Sequence, residues 1–120
     1  MTSILNQYIH DDGSIALFNG ANNSYQKQII ELLSQEEFLK SRTFKNVQNG
    51  IAFYYDKKKR VFYDVVQPTK YGFSKNLSAG TLSFELSVLG EKIITNCGAS
   101  ENSGKNPEYL RYSAAHSTII

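Results

Sequence analysis

The stretch AGTLSFELSVLGEKIITNCGA, residues 79–99, decides how this chain is read. Leu82, Phe84, Leu86 and Val88 alternate with Thr81, Ser83, Glu85 and Ser87. A period of two marks a strand with one dry and one wet face, and it assigns the apolar row to the dry side. Gly90 with Glu91 supplies a turn, and Ile93, Ile94 and Cys97 carry a return strand to Gly98. Residues 81–88 and 91–96 are therefore expected to form a β-hairpin.

Working outward, the same patterning predicts strands over 44–47, 50–55 and 61–66. The charged run Asp56-Lys57-Lys58-Lys59-Arg60 forms a hairpin tip between the last two. Pro68 ends the third, and residues 67–79 read as a polar loop carrying Tyr71 and Phe73. A second polar loop spans residues 100–108, and His116 then stands at the start of a final apolar run. Upstream, Asn22, Asn23 and Ser24 are good helix caps. Tyr25, Ile29, Leu32 and Leu33 share one face at helical spacing, which predicts a helix over 25–39. Ile4, Leu5, Tyr8 and Ile9 suit the last turns of an earlier helix, closed by turn chemistry at His10-Asp11-Asp12-Gly13. Helix first and then successive strands is an α+β order: a short helical segment followed by an antiparallel sheet.

Composition bounds the function. The chain has 120 residues, 41% hydrophobic, with mean hydropathy −0.37, which suits one ordinary globular domain. Thirteen basic and eleven acidic residues leave a net charge of +2, so no global field points to nucleic acid. No apolar run approaches the ~20 residues that span a bilayer. The single cysteine, Cys97, cannot form an internal disulfide and is expected to be packed. Eight tyrosines and seven phenylalanines suit a sheet, and tyrosine also suits a sugar-facing surface.

The phrases AGTLSFELS, G-x-x-I-I-T-N-C-G-A and RYSAAHSTI, in that order, resemble the heparinase II/III-like proteins, in particular a bacterial branch. The segment HDDGSIALFNG, residues 10–20, looks like the stretch that closes that family's helical domain. The resemblance implies a helical part over 1–40, the end of an α/α toroid. It implies the first half of an antiparallel β-sandwich over 41–120. Complete members are several times longer, and the chain stops within its last apolar run, so a partial chain is expected. The family's activity is that of a carbon–oxygen lyase acting on uronate-containing, acidic polysaccharide in the cell envelope or periplasm. A sheet stopped at half a sandwich would expose an apolar face and favour self-association.

The same resemblance names a site. A His in the H-x-T setting, here His116, helps the family hold a structural zinc, with an acidic residue at the position that is Asn96 here and a further His upstream. Asn96 keeps a carbonyl oxygen and loses the charge. The H-x-H-x-D-like run that precedes L-S-F in many lyases is replaced by Asn76-Leu77-Ser78-Ala79-Gly80, and no His lies between His10 and His116. β-Elimination needs a base and an acid within ~2.6–3.2 Å of the protons they move. The family draws most of these from its toroid, so this chain is expected to be inactive alone, and no catalytic residue is assigned in it. The alternative is a non-catalytic carbohydrate-binding or structural β-module, with Lys57, Lys58, Lys59 and Arg60 as the basic side chains that would meet an acidic glycan. A basic hairpin tip of this kind is more often simply solvated. Tyr54, Tyr55 and Tyr63 suit either sugar stacking or cross-strand pairing. Arg111 suits an ion pair near a strand end. Ser117 and Thr118 beside His116 lack the acid and oxyanion hole of a nucleophile site.

Overall fold

A computed structural model describes residues 8–34, 44–48, 50–67, 80–99 and 108–118. Its fold is α+β. Among the described residues one α-helix, α1 (Gln26–Ser34), precedes five strands, β1 (Phe44–Gln48), β2 (Ile51–Tyr55), β3 (Lys59–Asp64), β4 (Phe84–Val88) and β5 (Glu91–Ile94). The strands form one antiparallel sheet in the order β1-β2-β3-β4-β5, each paired with its neighbour in sequence. Two short 3-10 helices, Glu108–Arg111 and Ser113–Ala115, follow β5 and lead to His116, where a final strand was expected to open; residues 116 and 117 form a turn, and 119–120 lie outside the described residues.

The turns follow from local chemistry. At the β2–β3 tip, Asp56 Oδ1 accepts the Lys58 and Lys59 N–H groups at 2.8 and 3.0 Å. The Lys58 N–H, and then the Tyr54 hydroxyl, hold the Asp56 carboxyl below its usual range. The β4–β5 turn is made by Leu89 and Gly90, not Gly90 and Glu91, since Glu91 already pairs with Val88. Both turn residues have positive φ, 52° and 90°, the twist that a two-residue hairpin requires. Gly50 follows β1 at φ 78°, where a Cβ would lie 2.2 Å from Val66 Cγ2. Only glycine fits that approach.

The helix is shorter in the described residues than the expected 25–39, and residues 35–39 lie outside them. Tyr25 precedes α1 and is 67% exposed, so it does not join the buried face. Of the helix expected over 1–9, residues 1–7 lie outside the described part, and Ile9 forms an antiparallel bridge with Ile15. The turn at 11–13 is present, with Gly13 at φ 81° and Asp12 Oδ1 accepting the Ser14 N–H and hydroxyl.

The larger correction concerns β4. Its polar row is the buried one: Ser83 is 1% exposed, and Glu85 and Ser87 are 0%. Leu82 sits in a turn at φ 61°, half exposed, so the strand begins at Phe84 rather than Thr81. Phe84, Leu86 and Val88 share the opposite face with Val61 and Tyr63, as the β3–β4 register requires. The cause is the segment 8–18, which crosses the polar side of the sheet and covers it. Phe53 and Phe62 face each other across β2–β3 on that covered side. With Ile51, Ala16 and Phe18 they form the core, and Tyr8 and Tyr55 pack against it.

The sheet thus has an inner face mixing phenylalanines with a polar seam, and an outer face that is apolar and partly open. Tyr63 stacks on Phe84 across β3–β4 on that outer face, with centroids 5.6 Å apart. Phe62 is 1% exposed and edges onto the His10 ring at 4.8 Å. Truncating such a buried ring leaves a cavity as well as lost burial. Phe62→Ala should therefore cost about 3–5 kcal/mol in urea unfolding. A loss near zero would show that this face is not the core.

Candidate functional site

The buried polar seam is the one concentration of titratable chemistry in the described core. Glu85 projects inward from the middle of β4 and is fully buried. Its Oε2 accepts a hydrogen bond from His10 Nε2 at 2.7 Å. Its Oε1 accepts the Leu17 N–H and the Asn96 N–H, both at 3.0 Å. The Thr95 hydroxyl and the Asn96 side-chain amide approach the same oxygen at 3.4 Å. Donors thus converge from the N-terminal crossing segment and from the end of β5.

Burial alone would raise the Glu85 carboxyl. The hydrogen bonds from His10, Asn96 and Leu17 outweigh it and hold the group below its usual range. His10 completes the seam on its other side, with Nδ1 3.1 Å from Ser87 Oγ. Because an ionised carboxylate only accepts, the hydrogen on Nε2 belongs to the His10–Glu85 contact.

Ser87, His10 and Glu85 therefore have the connectivity of a hydroxyl–imidazole–carboxylate triad. They lack what a triad needs, which is access. His10 is 2% exposed and its two partners 0%, so no substrate reaches the Ser87 oxygen. Nothing local in the sequence marked this cluster, because His10 and Glu85 stand 75 positions apart. The one available signal was the smallness of Ser83 and Ser87 on either side of Glu85, which leaves room for a covering chain.

The residues singled out from sequence fall in two places. His116 and Asn96 come to the same end of the sheet. Asn96 is 1% exposed, and its Oδ1 accepts the Ser117 N–H at 3.0 Å. The His116 ring lies against Gly80, whose absent side chain would stand 3.3 Å from its Cγ. His116 Nε2 is buried without a partner among the described residues. This donor set does not fit zinc. The amide oxygen is neutral and already occupied, and no three His, Cys, Asp or Glu side chains gather as a metal site among the described residues. Ser117 is committed to Phe84, accepting its N–H at 2.9 Å and donating to its carbonyl. Cys97, expected to be packed, is exposed instead.

The basic group splits. Lys57, Lys58 and Lys59 are exposed at the β2–β3 tip, with the Lys59 ammonium 5.4 Å from the Tyr54 ring. Arg60 turns to the inner side. Its Nε lies 2.5 Å from Asp11 Oδ1, its Nη1 donates to the Ile9 carbonyl at 2.8 Å, and its guanidinium covers the Tyr55 ring. It ties the crossing segment to the sheet. Tyr55 stacks on Phe53 and Tyr63 on Phe84, so both rings are used in packing.

Residues 40–120 match the family described as heparinase II/III-like, C-terminal. The chain therefore belongs to the heparinase II/III-like family, and the matched region is that of its C-terminal domain. No curated protein and no solved structure matches the chain.

The seam has a measurable pH signature. A carboxyl whose folded pKa is depressed contributes stability above its unfolded value, near 4.3, and loses it as pH falls through the folded value. Wild-type stability should therefore decline below about pH 4–5, and Glu85→Gln should flatten that slope. Glu85→Ala, which strands His10 and two N–H groups, should cost about 3–5 kcal/mol at neutral pH. Equal acid sensitivity in Glu85→Gln and wild type would remove Glu85 from this role.

Proposed function

We propose that this chain serves as a framework sheet of a heparinase II/III-like polysaccharide lyase and does not catalyse β-elimination by itself. The observation that carries this reading is the sealing of the His10–Ser87–Glu85 cluster at 0–2% exposure. Proton transfer needs a titratable group in hydrogen-bond reach of substrate, and here those groups are spent on the fold. Family membership supports acidic polysaccharide as the substrate class of the lyase it belongs with.

A second reading, as a glycan-binding module, is favoured by one specific feature. Lys57, Lys58 and Lys59 are exposed together beside Tyr54, a tip that offers charge and a ring face to a sulfated or uronate chain. Arg60 is already engaged and would contribute little.

The readings separate in two assays on the same preparation. Incubated with heparan sulfate, chondroitin sulfate and alginate, the protein should release no unsaturated uronate, and measurable turnover would overturn the framework reading. On a glycan array, saturable binding lost in the K57A/K58A/K59A variant would establish the second reading. Binding unaffected by that variant, or none at all, would dismiss it.

The partly open outer face supports self-association with a second copy of the chain, since exposed Tyr63 and half-buried Val61, Phe84 and Leu86 lie together across β3 and β4. Sedimentation should show a concentration-dependent mass for wild type that Leu86→Lys abolishes. A concentration-independent monomer would refute the interface.

A further inference from the structure

We infer that the C-terminal 3-10 segment is locked to the sheet by a metal-free clasp centred on Asn96 and Ser117, and that this chain takes no zinc at His116. Three regions meet there: the start of β4, the chain just beyond β5, and residues 113–118. Each junction between them is made by neutral groups. Asn96 Oδ1 receives the Ser117 N–H at 3.0 Å, with the Ser117 hydroxyl 3.3 Å away. Ser117 Oγ bridges to both backbone groups of Phe84, taking its N–H and donating to its carbonyl. The Thr118 hydroxyl donates to the Thr81 carbonyl, and the Cys97 N–H to the Ala115 carbonyl at 3.2 Å.

The chemistry of position 96 explains why the clasp works with an amide. Asn96 is two-sided: its oxygen accepts from Ser117, while its Nδ2 lies 3.4 Å from Glu85 Oε1 and can donate to it. An aspartate would face Glu85 with a second buried carboxylate and no hydrogen to offer. Two such charges in one pocket require a cation or a proton to coexist. The amide removes that requirement, and with it the anionic ligand zinc would need. Against the His116 ring, Gly80 presents no side chain, so the orphaned His116 Nε2 has no donor set to join among the described residues.

The test is the metal content and thermal stability of the full chain. Protein purified without chelator and dialysed against zinc should carry substoichiometric metal, and its melting temperature should be unchanged by EDTA or by added zinc. Ser117→Ala should lower the melting temperature by several degrees, equally with zinc and with EDTA. Stoichiometric zinc whose removal lowers the melting temperature would overturn the inference. So would a Ser117→Ala variant as stable as wild type. If Ser117→Ala does not fold, the wild-type measurement decides alone.

Discussion

The buried carboxylate of Glu85 organises this structure. An ionised group in an apolar interior is costly unless its acceptor sites are filled, and Glu85 fills them with donors it could not have obtained from its own hairpin alone. The Leu17 N–H and the His10 imidazole come from the crossing segment, and the Asn96 N–H from beyond β5. Satisfying Glu85 therefore requires two chain regions to be placed correctly on β4. Removing any one donor leaves the others holding a less compensated charge, which makes the arrangement selective rather than merely cohesive.

That requirement also settles which face of the sheet is covered. A strand with a period of two offers both faces, and apolar burial alone would have turned Phe84, Leu86 and Val88 inward. Covering the Ser-Glu-Ser row instead is tolerated because nearby Phe53 and Phe62 supply the hydrophobic area on the same side. Arg60, bound to Asp11 and to the Ile9 carbonyl, fastens the crossing segment at a second point along the sheet. The apolar row of Phe84, Leu86 and Val88 is left on the opposite face, where it is half-buried.

The parts of the fold that were legible in sequence are those encoded locally. The hairpins over 51–64 and 84–94 follow from alternation, from the Asp56 turn, and from positive φ at Gly90. The α+β order followed from a helical period succeeded by strand periods, and the family from the phrases around residues 79–98 and 111–119. What escaped depended on distant pairing. His10 read as part of a turn, which it is, yet its ring is committed to a strand 75 residues away. Period analysis located β4 but inverted its faces, because alternation states that two faces differ and not which one another segment will cover. Arg60 looked like a surface charge for the same reason.

The seam also shows that residue types used in catalysis can serve cohesion instead. Histidine, serine, glutamate and asparagine are the residue types from which proton-transfer and metal sites are built. Each becomes functional only with a free valence and a path to solvent or ligand. Here both Glu85 oxygens accept hydrogen bonds, the His10 nitrogens face Glu85 and Ser87, and the Asn96 side-chain amide is shared between Glu85 and Ser117. His116 Nε2 is buried without a partner among the described residues. The same side chains that would serve chemistry in an open site have been absorbed into cohesion, and the sheet is specified by polar contacts where a simpler one would rely on hydrophobic packing.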